Sequence, residues 1–266
     1  MSLTLSDRVQ SIQPSATIAM NVKAKALAAQ GVSVINLSVG EPDFDTPDFI
    51  QQAAITALQQ GQTRYTAADG SPALKQAIAQ KLQRDNNLHY DTSDILVTSG
   101  AKQALYNAMQ ALLNPGDEVI IPAPYWVSYP DMVLLTGAKP VIISAGIEQG
   151  YKITAQQLEH AITEKTRMFI INSPSNPTGA CYQAEELMQL AEVLNKHPHI
   201  VVLSDDIYEY IQFGDQAFSN LINVCPELKP QTIIVNGVSK SHAMTGCRIG
   251  YAAGPSPALT AMKKLQ

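Results

Sequence analysis

The residue with the clearest chemical potential is Lys240, which follows the apolar run 233–235 in a segment of small residues. A lysine amine at the end of a buried strand is poorly solvated, and poor solvation favours its neutral, nucleophilic form. Ser239 and Arg248 add a hydroxyl and a permanent positive charge to the same segment. Such groups suit an amine that attacks an aldehyde beside a bound phosphate. The alternative is an ordinary surface lysine in a loop.

A second candidate is Asp205, which ends the uncharged run 200–203. A carboxylate at that place is partly desolvated and requires a cationic or N–H partner. A protonated ring nitrogen of a heteroaromatic ligand is one such partner. Two alternatives stay open, because Asp205 or Asp206 could cap a following helix or the pair could bind magnesium. Tyr208 either reaches the same ligand with its hydroxyl or belongs to the core.

Three further candidates also lie where strands end. Prolines on both sides of Asn176 restrict its backbone and fix the direction of its amide, although the segment could simply be a turn with a cis proline. Ala101 and Lys102 begin a helix directly after a strand, and the free N–H groups of a helix start suit a phosphate. Trp126 either stacks on a flat ligand ring or packs in the protein.

The elements that position these residues alternate regularly from about residue 94 onward. Apolar runs predict strands at 95–98, 118–121, 140–143, 168–171, 200–203, 233–235 and 249–252, with helices at 102–113, 128–136, 155–162 and 185–195. Continuous apolar strands between helices predict an α/β fold, with a mostly parallel sheet sandwiched by helices. In such sheets ligands bind beyond the carboxyl ends of the strands, which is where the candidate residues fall.

The first part of the chain has a different pattern. It predicts a helix at 17–30 and a short strand at 34–37, followed by 40–47, which holds two prolines and three acids. That composition is typical of a hinge between lobes. We therefore expect an N-terminal arm with part of a small lobe at 1–46, and a large ligand-binding domain at 47–266.

Composition narrows the class of protein further. The 266 residues are 45% hydrophobic, which is enough for a large core. A net charge of −5 gives no basic surface for nucleic acid. We find no signal peptide and no run of ~18 apolar residues, so neither secretion nor a membrane partner is expected. Three separated cysteines without a CxxC pair predict a cytoplasmic location and no structural metal site.

Together these segments resemble the fold-type I pyridoxal-phosphate enzymes, in particular the class I aminotransferases of the aspartate aminotransferase family. The resemblance runs across nearly the whole chain and is carried by residues 39–44, 65, 100–105, 124–126, 172–179, 204–208 and 239–251. Their order and spacing match the family pattern. The fold implied is the large domain of these enzymes with an incomplete small N-terminal lobe.

The resemblance implies a role for each candidate toward pyridoxal 5′-phosphate. Lys240 would hold the cofactor covalently and act as the base, with Asp205 on the ring nitrogen. The remaining cofactor contacts would come from Tyr208, Asn176, Trp126, Ser239, Arg248, Ala101, Lys102 and Tyr65. Among these, Tyr65 would reach the phosphate of a neighbouring subunit, which implies a homodimer with shared sites. The substrate side would be lined by Gly40, Trp126 and Asn176.

The implied activity is transfer of an amino group from an L-amino acid to a 2-oxo acid such as 2-oxoglutarate, with aspartate or an aromatic amino acid as donor. A β-lyase or synthase on the same scaffold, or a catalytically weak cofactor-binding fragment, are the alternatives. The family continues past residue 266, through the part that holds the arginine for the substrate α-carboxylate. Leu259, Met262 and Leu265 form an apolar stripe on a final helix. We expect a chain truncated at its C-terminus, with this stripe and the facing surface of residues 1–46 partly uncovered.

Overall fold

A seven-stranded sheet forms the centre of the protein in a computed structural model that describes residues 3–214 and 217–266. Its strands are β1 (Ile95–Ser99), β2 (Glu118–Ala123), β3 (Lys139–Ser144), β4 (Thr166–Asn172), β5 (Val201–Asp205), β6 (Thr232–Gly237) and β7 (Ile249–Ala253). Their order is β1-β7-β6-β5-β4-β2-β3. Only β7 runs antiparallel to its neighbours, so the sheet is mostly parallel as predicted.

The helices of the described residues either precede the sheet in the chain or cover its two faces. They are α1 (Asp7–Gln10), α2 (Ala16–Ala29), α3 (Asp48–Gln59), α4 (Pro72–Asn86), α5 (Ala101–Leu112), α6 (Ser128–Leu134), α7 (Ala155–Ala161), α8 (Ala184–Asn195), α9 (Leu221–Val224) and α10 (Ser256–Lys263). Helices α5, α6 and α10 pack on one face, and α4, α7, α8 and α9 on the other. Successive strand residues alternate between the two cores, as Met168 and Phe169 do. This three-layer arrangement confirms the predicted α/β class.

The strand directions gather the candidate residues at one edge of the sheet. Asn172 and Asp205 end neighbouring parallel strands and lie side by side. Because β7 runs the opposite way, it begins at the edge where the parallel strands finish, and Ile249 pairs with Ser99. Arg248, which precedes β7, therefore arrives at the same edge as the residues that follow β1, β4 and β5.

The N-terminal part contributes little to the core. Among residues 3–74 no side chain is buried, and α3 was not predicted from the sequence. The predicted strand at 34–37 is wrong: it has no partner strand among the described residues, and Ile35 and Leu37 are 87% and 91% exposed. The division at residue 46 stays a prediction, and the first two residues of that arm lie outside the described part.

The last helix finds a partner within the chain. Leu259 and Met262 of α10 are buried against α5, whereas Leu265 is half exposed. The expected partial exposure of this stripe is therefore confined to Leu265, because the apolar face of α5 covers Leu259 and Met262. No helix of the described residues combines the length and apolar character needed to cross a membrane.

Candidate active site at the carboxyl edge of the sheet

Lys240 lies three residues beyond β6, and its amine points into the edge cleft. Its Nζ donates a hydrogen bond to the Gly40 carbonyl at 2.7 Å and lies 6.0 Å from the centroid of the Tyr208 ring. Burial lowers the pKa of Lys240; the charge of Glu41 opposes this shift and that of Arg248 adds to it. The lowered pKa favours the neutral amine, as the sequence predicts for a nucleophile and not for a solvated surface lysine.

Asp205 presents a buried carboxylate at the end of β5. Its Oδ2 accepts a hydrogen bond from the Tyr129 hydroxyl at 2.6 Å, and its Oδ1 accepts a longer one from the Ile207 N–H at 3.4 Å. Burial raises the pKa of Asp205 to about 6, although the Tyr129 bond acts in the opposite direction. No lysine, arginine or histidine of the described chain is paired with this carboxylate. It therefore has room for a cationic partner supplied by a ligand.

The alternatives for Asp205 and Asp206 do not hold. Residues 207–210 form turns, so neither aspartate caps a helix at this place. Asp206 points to the other face of the sheet, where it accepts hydrogen bonds from the Ser204 hydroxyl at 2.6 Å and the Asn220 amide at 2.8 Å. The two carboxylates thus have separate partners on opposite faces, which is incompatible with one magnesium ion bound by both.

A chain of hydrogen bonds joins Asn176 to Asp205. The Asn176 side-chain amide donates to the Tyr208 hydroxyl at 3.3 Å, and its backbone N–H donates to Asn172 Oδ1 at 2.8 Å. Asn172 in turn donates its amide to the Asp205 backbone carbonyl at 2.8 Å. The peptide bonds before Pro174 and Pro177 are cis. Asn176, Tyr208 and Asp205 are therefore held together, as the sequence predicts.

The start of α5 forms a small cradle with Arg248. Gly100, the residue before Ala101, has a φ of +82°, and a Cβ added to it would lie 2.4 Å from a guanidinium nitrogen of Arg248. A Cβ added to Gly250 would lie 2.2 Å from the Ala101 nitrogen. Arg248 has a left-handed φ of +55°, and its guanidinium donates to the Thr245 carbonyl. Two glycines thus bring a guanidinium against free N–H groups at a helix start, an arrangement suited to a phosphate.

Trp126 and Lys102 border the same cleft. The Trp126 ring packs edge-on against Tyr129, with centroids 5.4 Å apart and an interplanar angle of 87°. Lys102 Nζ lies 5.4 Å from the centroid of the Trp126 ring and 3.4 Å from the Ser128 hydroxyl. Trp126 therefore has a packing role in the protein. Its stacking on a ligand stays a prediction.

A groove of about 540 Å³ extends from this edge toward the N-terminal arm. Its walls include Ser99, Lys102 and Arg248 from the sheet side, and Ile12 and Ser15 from the arm. Lys102 and Arg248 place two cations on the groove wall, against the single carboxylate of Asp131. The groove is therefore electrostatically suited to an anionic small molecule.

Two predicted residues do not join these contacts. Tyr65 is fully exposed. Within the described residues its side chain forms no hydrogen bond with any other candidate. Ser239 is buried next to Lys240, but its hydroxyl forms no hydrogen bond within the described residues. Their predicted roles toward the cofactor stay predictions.

Two residues of the site were not predicted from the sequence. They are Tyr129, which hydrogen-bonds Asp205, and Asn172, which links Asn176 to the Asp205 backbone. Tyr129 is 2% exposed and holds Asp205, yet it lies 76 residues away in sequence. Its only local signal is a tyrosine one helical turn after Trp126, on a helix that follows a strand end. The signal for Asn172 is its place as the last residue of a parallel strand, from which a polar side chain reaches the neighbouring strand end.

The residues fit pyridoxal 5′-phosphate on three counts. Asp205 is a buried carboxylate that no cation of the described chain neutralises, which matches a protonated ring nitrogen. The cradle of Gly100, Ala101 and Arg248 matches a phosphate. Lys240 offers an amine with a lowered pKa to an aldehyde. Together with the fold, they define a three-layer α/β protein with a lysine at its strand-end cleft.

Comparison with known proteins identifies the family. The family model for aminotransferase class I and II matches residues 32–266. This chain belongs to the aminotransferase class I and II family, as its resemblance predicted. The aspartate/prephenate aminotransferase of Nitrosomonas europaea is 54% identical over 264 residues, which cover 99% of this chain and 66% of that protein.

Solved structures agree with this membership. The aspartate aminotransferase from Rhizobium meliloti superposes with a TM-score of 0.96 at 48% identity, covering 99% of this chain and 66% of that one. The Thermus thermophilus aspartate aminotransferase with maleate gives a TM-score of 0.94 at 44% identity, covering 99% of this chain and 68% of that one. The chain thus spans about two thirds of the length of the relatives that it matches.

Proposed function

We propose that this protein is a pyridoxal-phosphate-dependent aminotransferase that moves the amino group of an L-amino acid, aspartate foremost, to a 2-oxo acid such as 2-oxoglutarate. The observation that carries the proposal is the placement of the Lys240 amine and the Asp205 carboxylate at one strand-end cleft, both beside Tyr208. Family membership supports it, and so do the relatives named aspartate aminotransferase.

The side chains divide the work of holding the cofactor. Asp205 would pair with the ring nitrogen, Tyr208 and Asn176 would bond the ring oxygen, and Arg248 with the start of α5 would bind the phosphate. When bound, the cofactor supplies an aldehyde that links to amines and a ring that withdraws electrons from the carbon beside the amino group.

Lys240 has two tasks in this proposal. Its amine would hold the cofactor through the aldehyde, and it would also serve as the base that takes the proton from the substrate Cα. A lowered pKa serves both tasks, because only the neutral amine attacks or accepts a proton. The Gly40 carbonyl, which accepts a hydrogen bond from Nζ at 2.7 Å, keeps the amine in the cleft. Asp205 would hold the ring nitrogen in its charged form.

The groove supports a substrate with two carboxylates. Lys102 lies on its wall, and a cation beside the cleft would attract a second carboxylate on the substrate side chain. Relatives at 51–55% identity are named for aspartate and prephenate, and the Thermus relative was solved with maleate. We therefore extend the proposal to prephenate, a larger dicarboxylate, as an amino-group acceptor.

We also propose a homodimer with shared sites. Tyr65 is fully exposed, and apolar side chains of α2 and α3, among them Ile18, Val22 and Phe49, are uncovered. Exposed apolar surface of this extent favours association. Light scattering on the full chain should give twice the monomer mass, and a monomer at all concentrations would contradict the proposal. The cytoplasmic location stays a prediction.

The test is to trap the cofactor on its lysine. The full chain is mixed with pyridoxal phosphate, reduced with borohydride and digested for peptide mapping. We expect the pyridoxyl group on Lys240 and a visible absorption band that is lost in Lys240→Ala. Lys102→Ala is the matched control, because Lys102 borders the cleft but should keep the band. A pyridoxyl group on Lys102 instead of Lys240 would contradict the assignment.

The reaction itself separates an aminotransferase from a lyase. With aspartate and 2-oxoglutarate we expect oxaloacetate and glutamate, and with aspartate and prephenate the aminated prephenate. Steady release of pyruvate and ammonia without any 2-oxo acid acceptor would instead assign a β-lyase. Trapping on Lys240 without turnover of either kind would leave cofactor binding as the function.

A further inference from the structure

Glu209 is a buried carboxylate behind the cleft that the proposed chemistry does not use. Its side chain is 6% exposed, and both of its oxygens are occupied. Oε1 accepts a hydrogen bond from the Asn236 amide at 2.9 Å, and Oε2 accepts one from the Asn86 amide at 2.9 Å. Lys81 forms an ion pair with the same carboxylate. A buried carboxylate is tolerated when it is this fully paired.

Glu209 and its two amide partners belong to three different elements. Glu209 directly follows Tyr208 in the turn after β5, and Asn86 is the last residue of α4. Asn236 lies in β6, four residues before Lys240, and its Oδ1 also accepts a hydrogen bond from the Gly237 N–H at 2.7 Å. The Glu209–Asn236 bond therefore joins the turn that carries Tyr208 to the start of the loop that carries Lys240.

This bond sits where a small displacement would change the cleft. Lys240 Nζ lies 6.0 Å from the centroid of the Tyr208 ring. The two side chains enter the cleft from different loops. Loops are the mobile parts of an α/β fold, so their relative position depends on links such as this one. Misplacing a reacting group by about 1 Å can lower a rate on the order of a hundredfold.

We propose that Glu209 is a positioning residue, which fixes the Tyr208 turn relative to the Lys240 loop through Asn236. Its bond to Asn86 anchors the same carboxylate to α4 and serves stability. The consequence for cofactor binding rests on the proposed function, whereas the link between the two loops does not.

The test compares Glu209→Gln, Asn236→Ala and Asn86→Ala in the full chain. Asn86→Ala is the matched control, because it removes the other amide partner of the same carboxylate but leaves the Glu209–Asn236 bond that joins the two loops. Hydrogen–deuterium exchange on the cofactor-free protein reports the loops directly. We expect amides of 207–210 and 237–242 to exchange about tenfold faster in Glu209→Gln and Asn236→Ala, the effect of losing one hydrogen bond to a charged group. Asn86→Ala should leave the exchange of 237–242 unchanged, because the bond from Glu209 to Asn236 remains.

Cofactor binding gives a second readout. In titrations followed by the visible band, Glu209→Gln and Asn236→Ala should bind pyridoxal phosphate about tenfold more weakly, and the pH dependence of the band should shift. Asn86→Ala should match the wild type in its affinity for pyridoxal phosphate and in the pH dependence of the band. This should hold even if its melting temperature falls as much as that of Asn236→Ala. Equal effects of Asn236→Ala and Asn86→Ala, or unchanged loop exchange in Glu209→Gln, would overturn the proposal. Faster loop exchange in a protein whose wild type never forms the Lys240-linked band would support the link and refute the proposed function.

Discussion

Desolvation acts on the two central residues of the cleft in opposite directions along the pKa scale. It raises the pKa of Asp205 to about 6 and lowers that of Lys240, so burial alone moves both groups toward their neutral forms. A neutral form helps the amine, which must attack. It harms the carboxylate, which must stay charged to hold a cation. The hydrogen bond from Tyr129 is therefore important, because it stabilises the charged form of Asp205.

At this residue scale we predict that Tyr129→Phe weakens binding of pyridoxal phosphate by about 10- to 100-fold. A hydrogen bond to a charged group contributes about 1.5–3 kcal/mol, and its loss lets the pKa of Asp205 rise further. Absorbance titration measures the affinity. Tyr182→Phe is the control, because Tyr182 is also a buried tyrosine, but its hydroxyl accepts a hydrogen bond from the Ile153 N–H and does not contact Asp205. Equal losses in both variants would show that Tyr129 acts through stability alone.

The decisive element is the start of α5, because two glycines let β7 and Arg248 approach it. Gly100 has a positive φ that disfavours any side chain, and it also lies under the guanidinium. Gly116 has a similar φ of +91° but open space around its Cα. Substituting Gly100 and Gly116 in turn therefore distinguishes the effect of backbone strain, which both share, from the loss of the contact with Arg248, which only Gly100 has.

We predict that Gly100→Ala impairs phosphate binding and that Gly116→Ala does not. Both variants should lose stability, on the order of 1 kcal/mol, because alanine is strained at positive φ. Only Gly100→Ala places a methyl group against Arg248 and should lower the affinity for pyridoxal phosphate, and for inorganic phosphate as a competitor. Thermal melts and competition titrations give the two quantities. The same affinity in both variants would remove the cradle from the phosphate site.

For the whole molecule, the same sheet buries acids on both faces, and this makes stability depend on pH. Burial raises the pKa of Asp206 to about 7, and its hydrogen bonds to Ser204 and Asn220 oppose this rise. A carboxyl whose folded pKa is raised favours the folded state while it is protonated. Its contribution is therefore full below about pH 4, the ordinary pKa of an aspartate, and is lost as the pH rises toward 7.

We predict that Asp206→Asn gains stability relative to the wild type between about pH 4 and pH 7 in the cofactor-free protein. The free energy of unfolding of the variant should exceed that of the wild type by about 1 kcal/mol more for each pH unit. Melting temperatures across this range measure it. Glu118→Gln is the control: hydrogen bonds from Thr163 and Lys139 lower the pKa of Glu118, so its effect falls at more acid pH. A difference between Asp206→Asn and the wild type that stays constant from pH 4 to 7 would contradict the raised pKa.

The sequence by itself determined the seven strands of the sheet and the strand-end places of Lys240 and Asp205. Apolar runs and helical spacing are local signals, and they predicted each strand from β1 to β7 to within a few residues. The resemblance to class I aminotransferases rests on motifs that are also local. The strand predicted at 34–37 failed because a strand requires a partner, which the apolar pattern of a single segment does not reveal.

The tertiary structure alone decided which side chains meet behind those motifs. Tyr129 reaches Asp205 across 76 residues, and Asn86 reaches Glu209 across 123. The reversed direction of β7 brings Arg248 to the edge where the parallel strands end. Such contacts depend on strand order and direction, and many sequence spacings are compatible with each. The pKa values of the buried acids follow from the same packing, because burial and partners, not residue type, set their shifts.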